Sequence, residues 1–69
     1  MKPYQERVVA EKNRLDDKID NLHGFLTCNS LAIRMPKSES NLLRIQLNAM
    51  KTYYCALAAR IEYFHEDEE

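Results

Sequence analysis

From Leu43 through Leu47, Met50, Tyr54, Leu57 and Ile61 to Phe64, large apolar residues recur at steps of four, three, four, three, four and three. Such positions share one face only on a helix, which returns to the same side every 3.6 residues, whereas a strand does so every two. The alternation is a heptad seam, and a helix carrying one must lie against another helix. No Gly or Pro follows Pro36, so nothing in the sequence breaks this helix before the chain ends. The first constraint on the fold is therefore a partner for a long apolar stripe.

The first half of the chain supplies one. Tyr4, Val8, Glu11, Leu15, Ile19, Leu22 and Leu26 step by four, three, four, four, three and four, and Glu11 alone interrupts an apolar face. Arg7, Lys12, Arg14, Asp16, Asp17, Lys18 and Asp20 form a mixed-sign outer face. Pro3 suits a first helical turn, where its missing N–H would have no partner. Gly24, followed by Phe25, is placed as a glycine C-cap, which ends the first helix between Leu22 and Leu26. Asn29 and Ser30 can begin a short helical turn, and Pro36 pushes Met35 out of helical geometry. Ser38 is the expected N-cap of the second helix, with Glu39 in its positively polarised first turn. The fold class expected is all-α, a single antiparallel helical hairpin with helices over 3–26 and 38–65, a connection over 27–37 and an acidic tail over 66–69.

The second helix carries more apolar surface than one partner can cover. Leu42, Ile45, Ala49, Tyr53, Ala56 and Tyr63 make a second stripe beside the seam, and Ala56, Ala58 and Ala59 leave room for another backbone to approach. At 69 residues, a chain with two cysteines and no disulfide framework has little stability to spare from its own core. Both observations point to a homo-oligomer built on the second helix.

Ten Lys and Arg against eleven Asp and Glu leave a net charge of -1, and four of those acids stand in the tail, so residues 1–65 are mildly basic. That balance argues against nucleic acid as a partner. The tail reads as a solvated solubility device. No apolar leader follows Met1 and no run is long enough to span a bilayer. A cytoplasmic protein with reduced Cys28 and Cys55 and no membrane association is expected. His23, His65, Cys28 and Cys55 lack the paired short spacing of a zinc site.

No nucleophile, base and acid stand in a recognisable catalytic pattern, and no glycine-rich phosphate loop is present. Asp16 and Asp20 read as ion-pair partners of Lys12 and Arg14. The expectation is a protein with no catalytic residue, no cofactor and no metal. Binding fits the residues better. Arg7 and Arg14 on the first helix, Arg44 and Lys51 on the second, and Tyr53 with Arg60 are each seven residues apart. A planar phenol and a forked guanidinium are the groups that a base and a phosphate need. The candidate ligand set is Tyr53 as a stacking face, Arg44 and Arg60 as phosphate donors, and Tyr4 with Arg7 from a neighbouring first helix. The ligand expected is a small anionic nucleotide. The alternative is a structural module in which the same side chains pack against another protein.

Tyr4-Gln5-x-Arg7-Val8, then Glu11, Leu15, Leu22 and Phe25, followed by Glu39, Leu42-Leu43, Gln46, Met50, Tyr53, Leu57, Arg60-Ile61 and Phe64, resemble a family of small helical-hairpin proteins from tailed and crAss-like bacteriophages. The likeness spans nearly the whole chain and implies a phage origin, with an infected bacterial cytoplasm as its setting. More distantly, Leu47, Tyr53, Ala56, Ala58 and Arg60 resemble the C-terminal hairpin segment of phage anti-CBASS and anti-Thoeris sponges. That resemblance implies a non-enzymatic oligomer that sequesters a cyclic-nucleotide-type immune signal. Two departures from it are Lys37-Ser38-Glu39, where those proteins have a Ser-Arg-Glu type of start, and Tyr53, where they have Trp.

If the seam is the core, Met50→Asp should unfold the protein outright, because an unpaired buried carboxylate adds to the lost packing. Loss of the helical circular-dichroism signal at micromolar concentration would show it; a cooperative melt within a few degrees of the wild type would contradict the seam.

Overall fold

A computed structural model describes residues 1–28 and 30–64, with Cys28, Leu31 and Ala32 described by their backbone alone. The chain is an all-α hairpin of α1 (Pro3–Cys28), a short α2 (Ser30–Arg34) and α3 (Lys37–Glu62). Two helices of 26 residues each run side by side over about 39 Å at 1.5 Å per residue. The molecule is accordingly a rod of 53 × 15 × 14 Å.

The seam faces α1, as its periodicity requires. Leu47 is 7% exposed, Leu57 0% and Phe64 7%, while Leu43, Met50, Tyr54 and Ile61 are half-buried. Val8, Leu15, Leu57 and Phe64 form the core cluster, with Val9, Ile19, Met50, Tyr54 and Ile61 packed against it. At the open end the rings of Tyr4 and Phe64 meet edge to face, 5.9 Å between centroids. Further along, the Lys12 ammonium lies 5.5 Å from the centre of the Tyr54 ring, which lets a charged side chain cover an aromatic face without leaving water. Every member of the second stripe, Leu42, Ile45, Ala49, Tyr53, Ala56 and Tyr63, is exposed in the single chain.

Pro3 sits at the first position of α1 as expected, and the cap before it is Lys2. Its backbone N–H donates to Gln5 Oε1 at 2.9 Å, while Gln5 N–H donates back to the Lys2 carbonyl at 3.0 Å. This is the side-chain half of a capping box, with Gln at the third helical position. Gln5 is fully buried in making it, and its Nε2 has no partner among the described residues.

Two local expectations need correction. Gly24 does not cap α1; the helix runs through it to Cys28, and Gly24 has no positive φ. Nothing lies within 4 Å of where its Cβ would stand, so the helix meets neither a steric stop nor a reason to unwind there. Ser38 is not the N-cap of α3: the helix begins at Lys37, Pro36 holds the cap position, and no side chain bonds the first-turn N–H groups. Proline's fixed φ, here -55° with ψ 141°, already turns the chain into the helix, two residues earlier than a serine cap at Ser38 would. α3 is described over Lys37–Glu62, with Tyr63 N–H closing on the Arg60 carbonyl at 3.2 Å, and the expected bound at 65 falls outside the described residues. Asn29, His65 and the acidic run 66–69 lie outside the described residues.

Gly24→Ala should therefore raise stability by about 0.5–1 kcal/mol, since it removes only the entropic cost of a mid-helix glycine. A lower melting temperature would restore the capping role. Leu57→Ala should cost about 2–5 kcal/mol through the cavity it leaves.

Candidate functional site

Acidic and basic residues are segregated along the chain. Up to Asp20 they are balanced, five of each, but between Asn21 and Ile61 Glu39 is the sole acid against Arg34, Lys37, Arg44, Lys51 and Arg60. The fold concentrates this excess. Antiparallel packing brings the C-terminal part of α1, the connection and the N-terminal half of α3 together at the closed end of the hairpin, where two adjoining grooves open.

One groove, of about 300 Å³, is lined by His23, Leu26, Thr27, Arg44, Leu47, Asn48 and Lys51. The other, of about 380 Å³, is lined by Leu26, Ile33, Met35, Lys37, Ser40 and Arg44. Leu26 and Arg44 belong to both. No carboxylate lines either groove. Glu39 stands about 140° around α3 from Arg44 at 100° per residue. Lys37, Arg44 and Lys51 are exposed and none has an ion-pair partner among the described residues. The floor is apolar, with Leu47 buried and Leu26 half-buried. The Thr27 hydroxyl donates to the His23 carbonyl at 2.8 Å, one turn back along α1. The uncapped first turn of α3 lies beside Lys37 and Ser40, and its unsatisfied N–H groups add partial positive charge there.

Of the five residues singled out from the sequence, Arg44 alone lines these grooves. Tyr53 and Arg60 are exposed on α3, about 180° and 160° around the helix from Arg44 and about 13 Å and 24 Å along it. Tyr53 and Arg60 do share a face with each other, with the exposed stripe. Tyr4, 39% exposed, has its ring against Phe64 in a T-shaped contact, and the exposed Arg7 sits one turn further along α1. One chain thus places Arg44 at the closed end and Tyr4, Arg7 and Arg60 toward the open end. A single ligand touching both groups must meet more than one copy of the chain.

Sequence reasoning paired Arg44 with Lys51 and passed over Lys37, His23, Asn48 and Ser40. Two signals were available: the seven-residue step from Lys37 to Arg44 to Lys51, and the stretch from Ser40 to Ile61 without an acid. What hid the groove is that half of its wall comes from α1, some twenty residues away in sequence.

Among the described residues no helix is long and apolar enough to cross a membrane. No curated protein and no solved structure matches the chain. The model of one family does, over residues 2–63, and that family is described as Sequestin.

Proposed function

We propose that this chain, which belongs to the Sequestin family, is a non-enzymatic sponge that binds a small anionic nucleotide signal of cyclic type and holds it away from its receptor. The family's name points to sequestration. The observation that carries the ligand class is the pair of grooves around Arg44, cationic, floored by leucine and lined by no carboxylate. An anion entering them meets no like charge and displaces no ion-pair partner, so its Coulombic gain is not spent on breaking an existing bridge.

The working unit in this reading is a homo-oligomer. The exposed stripe from Leu42 to Tyr63 gives one copy an apolar face to bury against another, in a rod whose own core is a few side chains wide. Tyr53 and Arg60 lie on that stripe's side of α3, and a neighbouring α1 brings Tyr4 and Arg7. Sites between chains then offer a stacking ring and further guanidinium groups to the same ligand. Sequestration of a phage-encoded kind, directed against a bacterial immune signal in the infected cytoplasm, is the setting that the hairpin resemblance supplies.

The exposed stripe also favours a second reading, a helical module that docks on a host or phage protein. There Tyr53 and Arg60 act through packing, and Arg60→Lys would be nearly silent.

Calorimetry or native mass spectrometry against cyclic dinucleotides, cyclic trinucleotides and cyclic ADP-ribose isomers separates the two. A sponge binds at least one tightly, gains roughly 2.7 kcal/mol of stability at 100 times the dissociation constant, and releases the ligand chemically unchanged after heat denaturation. Arg60→Ala should weaken that binding by about 2 kcal/mol if its guanidinium holds a phosphate out of water. No thermal shift with any member of the panel, together with one stoichiometric protein partner in pull-downs from infected cells, would establish the docking module instead. A well-folded 8.1 kDa monomer in sedimentation at micromolar concentration would remove the oligomer from either reading.

A further inference from the structure

Lys37, Arg44 and Lys51 follow one another at seven-residue steps on α3, which sets their Cα atoms about 10.5 Å apart along one face, with a drift of only about 20° per step. The groove toward the connection ends on Lys37, the groove toward the middle of the rod ends on Lys51, and Arg44 stands in the wall of both. Each groove has one lysine of its own and a share in one guanidinium. Arg is the side chain suited to being shared, because its planar fork presents five donors in two directions, whereas a lysine is a single point charge.

We propose that the two grooves are one bipartite anion site, which takes a small molecule carrying two separated phosphate-type groups. One group lies between Lys37 and Arg44, the other between Arg44 and Lys51, and the uncharged body crosses Leu26, the second residue common to both grooves. The proposal rests on the sequestering reading and deepens it: two anionic groups of the ligand are gripped within one hairpin, and other copies add stacking and further guanidinium contacts.

The remaining lining residues fit this division. The Lys37 side adds the half-buried Ser40 and the uncapped first turn of α3, both donors to an anion. The Lys51 side adds His23 and Asn48, with Leu47 beneath them. Volumes of about 380 and 300 Å³ together suit a nucleotide-sized molecule rather than a bare ion. Two phosphates joined directly would crowd into one groove. Phosphates carried on opposite sides of a sugar can reach both.

The test uses the full chain and four probes: adenosine 3′,5′-bisphosphate, AMP, inorganic pyrophosphate and a single-stranded oligonucleotide. The bisphosphate should bind at least about tenfold more tightly than AMP or pyrophosphate, the gain of a second charge-assisted contact. Lys37→Ala and Lys51→Ala should each erase that advantage while AMP binding changes by less than about threefold, because one groove stays intact. Arg44→Ala should weaken both ligands, and Lys18→Ala, on the outer face of α1, should alter neither. All four positions are exposed, so unchanged helicity is the control for folding. Equal affinity for AMP and the bisphosphate overturns the bipartite site. So do silent lysine variants beside a damaging Arg60→Ala or Tyr53→Ala, an outcome that leaves sequestration standing with the charge read between chains. An oligonucleotide that displaces the bisphosphate at lower concentration marks a nucleic-acid surface and also overturns it. If neither these probes nor the cyclic panel binds, the sequestering reading falls as well.

Discussion

Everything in this molecule depends on α3 having to hide more apolar surface than one partner helix can cover. The seam from Leu43 to Phe64 is answered by Val8, Leu15 and Ile19 of α1, and that contact makes the hairpin. The stripe from Leu42 to Tyr63 is answered by nothing among the described residues. Two antiparallel helices touch along a single line, so a rod 15 × 14 Å across has no second layer in which to bury it. The proposed assembly rests on this exposed face, and Tyr53 and Arg60 lie on the side of α3 that carries it.

Charge follows a different axis from hydrophobicity. The apolar faces run the length of the rod, whereas positive charge collects at its closed end. Balanced acids and bases along the first twenty residues keep the outer face of α1 soluble without giving it a field. From Asn21 to Ile61 the balance is abandoned, and the hairpin folds that basic stretch back on itself, so that His23, Lys37, Arg44 and Lys51 surround a common floor. Surface cations usually take a carboxylate three or four residues away as partner. These have none among the described residues, and an unspent cation beside a concave apolar floor is what an anionic ligand requires.

The ends of the helices show how local rules yield to their neighbours. A glycine is a common helix stop because it tolerates left-handed geometry, but Gly24 lies where nothing crowds the helix and where α1 still has a connection to reach. Ser38 has the right chemistry for a cap, yet Pro36 has already set the backbone two residues earlier. Gln5 does the reverse. Nothing in its sequence position marks it as core, but its side chain folds back to the Lys2 N–H and is fully buried.

The amino-acid pattern alone set the helices, their pairing and which face of each is apolar, because all three are periodicities along the chain. It also determined that one apolar stripe would be left over, since α3 carries two and α1 offers one. Tertiary structure decided which cations come together. Arg44 and Tyr53 look like members of one site at nine residues' separation, but 100° per residue puts them on opposite sides of α3. Lys37, Arg44 and Lys51 do share a face, and the α1 residues His23 and Leu26 reach them only because the chain turns back between Cys28 and Lys37. A groove between two helices is a property of their register, and register depends on how the side chains of both interlock rather than on the pattern of either one.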